Sequence, residues 1–211
     1  MIEHAIIISC DDDIALGSYF QECANFARII FQTQEQISLT EIKGSNCHRV
    51  YVDLKMPEEC MILTIFSHGT ARAFVCENQP FIDEDTKHIN NKVVYTNACL
   101  VGQDFGNTLS TLNGVFIGYK AETEVFLTAE PIDKRQFIEC DTYAIIYLFE
   151  RRISLRELES KMVDKFNIAI KKLKAKHTAD TNVMASMLTV ARDNFVVLGN
   201  LDISLVEQVN H

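Results

Sequence analysis

One histidine and one cysteine, each closing a short apolar run, are the residues in this chain whose types and spacing could do chemistry together. The run from Met61 to Phe66 leads into Ser67-His68-Gly69, and the run from Val93 to Thr96 leads into Asn97-Ala98-Cys99, with the cysteine 31 positions after the histidine. Both runs are rich in β-branched or aromatic residues, the composition of strands buried on both faces. If the two strands lie side by side and parallel, their carboxyl ends bring His68 and Cys99 to one edge of a sheet, where open α/β sheets place their ligands. There the imidazole takes the thiol proton and the thiolate attacks a carbonyl, which is acyl transfer.

Cys99 then reads as the nucleophile, and His68 as the general base that later returns the proton to the leaving amine. A helix expected over 103–112 starts just after Cys99, so its positive end would favour the thiolate. Glycines at 69 and 102 supply adaptable backbone beside both residues.

A hydrophobic block ending in His-Gly, followed by a second ending in Ala-Cys, resembles the caspase-like cysteine peptidases. The compact interval between the blocks favours the small bacterial CHAT-domain branch over true caspases. The resemblance implies an α/β fold of the caspase-like three-layer kind, with a mostly parallel central sheet and helices on both faces. It also implies a cysteine endopeptidase acting on a protein substrate without a cofactor. The backbone amides of Gly69 and Cys99 are the oxyanion donors it implies.

In that family the specificity pocket draws on the end of the first strand, on the residue two before the cysteine, and on the segment after the next strand. Here those places hold Asp11, Asp12 and Asp13, then Asn97, then Lys120 to Glu124 with Glu122 and Glu124. Carboxylates at two of the three suit a substrate arginine or lysine, whose charge must be paired once desolvated. Asn97 departs from the acid that arginine-specific relatives often carry. Asp11 to Asp13 read equally well as a solvated helix cap, and Arg72 reaching the pocket would instead select an acidic residue. The sequence identifies no third residue that orients His68.

The elements that must position this pair follow from the rest of the chain. Its 211 residues, with only 3 prolines and 8 glycines and no linker-like or repeated tract, read as a single domain over 1–211. Strands are expected at His4 to Ser9, Ile37 to Ile42, Arg72 to Cys76, Val115 to Tyr119 and Phe195 to Asn200. Helices are expected from about Ile14 to Gln32, Lys134 to Arg151, Ser154 to Lys176 and about Asp180 to Asn194. The first of these carries Ile14, Phe20, Ala24, Ala27 and Ile30 near one face, and Ser154 to Glu157 reads as a capping box. Glu77 to Asn91 reads as a loop at the rim of the site.

A net charge of −9 argues against nucleic acid as a partner. The lysines at 171, 172, 174 and 176 fit a solvated helix end. No apolar stretch approaches a membrane span, and the start of the chain has no secretory pattern, so a cytoplasmic protein is expected. Seven cysteines without CxxC pairs fit a reducing compartment, and their spacing, with that of the histidines, suggests no metal. Cys47, Cys60, Cys76 and Cys140 read as bystander thiols. Control would come from a regulatory partner, self-cleavage or an occluding loop. Two alternatives stay open: a catalytically silent peptidase-fold scaffold, and a flavodoxin-like or receiver-like module in which Asp11 to Asp13 form the acidic cluster.

Overall fold

The triple isoleucine at 6–8 is a strand-prone run, fully buried in the sheet between two parallel neighbours. The computed structural model describes residues 4–58, 62–126, 130–150 and 153–202. In chain order, β1 (His4–Ser9) is followed by α1 (Gly17–Gln32), β2 (Ser38–Lys43), a 3-10 turn at Gly44–Asn46 and α2 (Arg49–Lys55). Next come β3 (Ile62–Phe66) and the short strands β4 (His68–Gly69), β5 (Phe74–Cys76) and β6 (Gln79–Ile82). The chain continues through β7 (Val93–Thr96), α3 (Phe105–Thr111), β8 (Val115–Tyr119), α4 (Pro131–Phe149), α5 (Leu155–Lys174), α6 (Ala179–Asn194) and β9 (Phe195–Gly199).

Six strands form the main sheet in the order β2-β1-β3-β7-β8-β9. All neighbours are parallel except β9, which runs antiparallel to β8. The expected α/β class with a mostly parallel sheet is therefore found. Residues of β3, β7 and β8 are buried along their whole length, as in strands covered on both faces. Since β2 lies on one side of β1 and all later strands on the other, right-handed crossovers put α1 and α2 on opposite faces. The order reverses between β1 and β3, and such a switch point opens a crevice at the carboxyl ends of the strands.

Amphipathic spacing explains the helices around this sheet. Tyr19, Phe20, Cys23, Ala24, Ala27, Ile30 and Phe31 form the buried face of α1, which packs on β1, β3 and α4. In α5 the stripe Leu155, Leu158, Met162, Phe166, Ile170 and Leu173 is buried as its period requires, and Glu157 reaches back to the Ser154 amide. The cluster of lysines ends this helix in solvent.

Three local expectations are corrected. Helix α1 starts at Gly17 rather than Ile14, because Asp13 Oδ1 accepts the amides of Ala15 and Leu16 at 2.9 and 2.6 Å and closes a turn there. Ile14 consequently stands fully exposed instead of on the buried face. The segment 77–91 is not all loop: Glu77 and Asn78, at φ 48° and 62°, make a tight turn between β5 and β6. Helix α2 was not expected, since seven residues show too little periodicity. Among the described residues, no helix is long and apolar enough to cross a membrane. Cys60, Met61 and Arg151 lie outside the described residues.

Candidate active site

Strand register delivers the two central residues together. Ile65 of β3 pairs with Thr96 of β7, so His68 and Cys99 each follow a paired position by three residues. The polypeptide backbones touch at this edge. A Cβ at Gly69 would lie 2.4 Å from the Cys99 carbonyl oxygen and 2.4 Å from Val101 Cγ2, so only glycine fits.

His68 is held from the neighbouring strand end. Its Nε2 lies 3.0 Å from Asp13 Oδ2, and the edge of its ring meets Phe20 with centroids 5.5 Å apart. Burial pushes the Asp13 carboxyl up, but the Leu16 amide, the His68 ring and the Ala15 amide outweigh it and hold the group below the usual range. A carboxylate receiving Nε2–H leaves the lone pair on Nδ1, the nitrogen then free to act as a base. Sequence reasoning found no orienting residue for His68 and read Asp13 either as part of a substrate pocket or as a cap at the start of the first helix. Its carboxylate is instead occupied by His68 and the start of α1.

The Cys99 thiol is partly exposed and lies against Thr123. Its Sγ accepts the Thr123 amide at 3.3 Å, sits 3.2 Å from the Thr123 hydroxyl oxygen and donates to the Thr123 carbonyl at 3.3 Å. Among the described residues no hydrogen bond joins Sγ to His68, so the resting thiol belongs to Thr123. The turn behind it is tight. Val101 N–H donates to the Cys99 carbonyl at 2.7 Å, enclosing Leu100 at φ 65°. Leucine rarely adopts that conformation, which costs about 1–3 kcal/mol and persists where surrounding structure enforces it. The Cys99 amide makes no hydrogen bond among the described residues and remains free to receive one acceptor.

The helix after Cys99 does not serve as expected. Helix α3 begins at Phe105, and the amides of Asp104 and Phe105 donate to the Ala71 carbonyl at 3.1 and 2.9 Å, away from the thiol. Its dipole falls off within the first turn. The Thr123 amide and hydroxyl are the donors that face the sulfur.

The remaining acids expected in the pocket divide. Asp11 and Asp12 turn toward the end of β2, where an added Cβ at Gly44 would come within 3.1 Å of Asp12 Oδ2 and 3.2 Å of Asp11 Oδ1. That is the side of β1 away from Cys99. Glu122 and Glu124 are exposed and flank the inward-facing Thr123. Arg72 pairs with Asp104 at 3.3 Å and is largely in solvent.

Asn97 is buried, and its Oδ1 has no hydrogen-bond partner. Its side chain hydrogen-bonds a carboxyl absent from the sequence reading, Asp141 on α4. Asp141 also receives the hydroxyls of Tyr19 at 2.8 Å and Tyr119 at 2.6 Å, while the Tyr95 hydroxyl donates to its backbone carbonyl. Burial raises the Asp141 carboxyl to about 6, against the pull of these donors. Burial and the Asp141 charge push all three tyrosines up, so their hydroxyls stay protonated donors. Among the described residues no lysine or arginine pairs with Asp141. Asp141 is linked to the pair through intermediates: Asn97 lies two residues before Cys99, and Tyr19 precedes Phe20, whose ring meets His68. It was hidden in sequence because it is one of three acids in its helix and no motif sets it apart from Asp133 and Glu139.

No protein-family model and no curated protein matches this chain.

Proposed function

We propose that the protein is a cysteine endopeptidase of the caspase-like, CHAT-domain kind, with a three-layer fold, cleaving a protein substrate after a basic residue. The carrying observation is the Asp13–His68 pair beside Cys99, in register at the switch point of a parallel sheet. His68 Nδ1 takes the proton from Cys99 Sγ, and the thiolate attacks the scissile carbonyl. The amides of Cys99 and Gly69 receive the negative oxygen, each such donor being worth about 2.7–4 kcal/mol. His68 then protonates the leaving amine, and water hydrolyses the thioester. Asp13 keeps the ring oriented and stabilises its protonated form, as a third residue does in other triads.

The preference for arginine or lysine rests on Asp141 rather than on Asp11, Asp12, Glu122 or Glu124. A buried carboxylate supplied with three neutral donors but no cation suits a substrate cation that replaces the lost solvation, and the orphaned Asn97 Oδ1 adds a second acceptor. Ile14, fully exposed one residue after Asp13, offers an apolar contact at the rim. The proposed setting is cytoplasmic, with a regulatory protein partner.

One observation favours the silent-scaffold reading: the Cys99 thiol is bonded to Thr123 and not to His68. The receiver-like reading is disfavoured because Asp13 is committed to a histidine and a three-stranded antiparallel sheet stands where that module would place a helix after β3. A fluorogenic panel with Arg, Lys, Asp, Leu and Ala before the scissile bond separates the readings. Turnover of Arg and Lys substrates supports the peptidase, faster turnover of Asp or Leu removes the Asp141 pocket, and no turnover favours the scaffold.

A further inference from the structure

We infer that Cys10, Cys47 and Cys76 form a zinc site, with the Asp12 carboxylate as its fourth ligand. The three residues come from separate segments: Cys10 follows β1, Cys47 follows the turn after β2, and Cys76 ends β5. All three are buried, and their sulfur atoms lie within 4.8 Å of one another. Tetrahedral zinc with Zn–S bonds of about 2.3 Å holds its sulfurs about 3.8 Å apart, so small side-chain adjustments close the site.

Ordinary core packing does not need this arrangement. As thiols the three meet one another through Cys10, and beyond that Cys10 reaches the Val75 carbonyl and Cys76 reaches Asp12 Oδ1 only at 3.9 Å, while Cys47 donates to the Ser9 carbonyl at 3.3 Å. Three thiols gathered from three segments around weak acceptors are better matched to a soft cation than to one another. Asp12 places a hard oxygen ligand beside Cys76 and is itself exposed, which gives the ion a path from solvent. Gly44, at φ 51°, lets the chain after β2 close against Asp12 without a Cβ in the way.

Binding exchanges three thiol protons for one Zn²⁺, leaving the three-thiolate centre with one net negative charge, or two with Asp12. Cys10 also opens the turn that carries Asp13. A filled site would tie the ends of β1, β2 and β5 together at the base of the residue that orients His68.

The test uses the full chain in a Cys99→Ala background, so that a metal held by Cys99 and His68 is excluded. Elemental analysis of protein purified without chelator is expected to give about one zinc per chain, and cobalt(II) chloride added to the metal-free protein a thiolate-to-cobalt charge-transfer band with intense visible bands of tetrahedral cobalt. Cys47→Ala should lower the metal content about tenfold or more, and Asp12→Asn, at an exposed position that does not endanger folding, should weaken affinity about tenfold. A cobalt spectrum without the thiolate band overturns the site, even if Cys47→Ala does not fold. So does copper in place of zinc, or an intact mass two hydrogens lower that reveals a disulfide. Unchanged affinity in Asp12→Asn overturns the fourth ligand. None of these readouts depends on peptidase activity.

Discussion

Cys99 follows β7 of the main sheet, whereas Cys10, Cys47 and Cys76 gather where the ends of β1 and β2 meet β5 of the second sheet, and the fold treats their sulfurs in opposite ways. Cys99 is partly exposed, backed by a strained turn at Leu100, and faced by the Thr123 amide, hydroxyl and carbonyl. The trio is enclosed, with backbone carbonyls and one carboxylate as its partners. Access to solvent and an N–H donor mark the first sulfur as the one a substrate can meet. At the second place the neighbouring sulfurs and burial push the Cys10 and Cys76 thiols up, so that only a cation replaces their protons. Residue type alone therefore says little about a cysteine, and the groups facing the sulfur decide its use.

Removing the nucleophile tests this contrast most severely. Cys99→Ala should lower kcat/KM on an Arg substrate by about 10⁴-fold or more while the melting temperature stays close to that of the parent. His68→Ala should lose a similar amount, and the double variant little more, since the two act as a unit. Alanine at Cys140, a buried thiol on α4 beside Asp141, should change stability and leave kcat alone.

Asp13→Asn comes next, with a loss of about 10²–10⁴-fold in kcat and little change in KM, because it misorients a base without touching substrate. The same carboxyl makes a stability prediction. Its folded value is depressed, so its contribution is present above the ordinary carboxylate range and is lost as pH falls through that depressed value. Acid unfolding curves should show a stronger decline for the parent than for Asp13→Asn below about pH 4.

Asp141→Asn should raise KM for Arg and Lys substrates on the order of 10²-fold and leave Leu and Ala substrates nearly unaffected. In the parent, KM for basic substrates should fall as pH rises through about 6, where Asp141 ionises, and the variant should lack that step. Stability moves the other way. A raised folded value contributes stability that is complete below the unfolded carboxylate value and lost as pH rises through about 6, so Asp141→Asn should flatten this decline. The smallest effect belongs to Thr123→Val, which removes one hydroxyl facing Sγ and should slow alkylation of Cys99 by roughly fivefold.

Much of the architecture could be read from the chain because the signals were local. Buried strands announced themselves as β-branched runs, α5 as an apolar stripe behind a capping box, and His68 and Cys99 as the ends of two such runs. The rest depended on partners far apart in sequence. Asp13 and His68 are 55 residues apart, Thr123 and Cys99 are 24, and Asp141 and Tyr19 are 122. Acids near the expected pocket drew notice by type, whereas the side chain that faces Cys99 is the threonine between Glu122 and Glu124. Likewise Ile14 matched the helical period, but a turn closed by the Asp13 side chain delayed the helix past it.

The most direct measurement is the rate and position of labelling by a peptide electrophile that carries arginine before its reactive carbonyl. Mass mapping should find the label on Cys99 alone among the seven cysteines. The reaction should be fast in the parent and Cys140→Ala proteins, and at least about 10³-fold slower in His68→Ala. Labelling of Cys99 at the same rate with and without His68, or preferential labelling of another cysteine, would contradict an activated nucleophile at the end of β7.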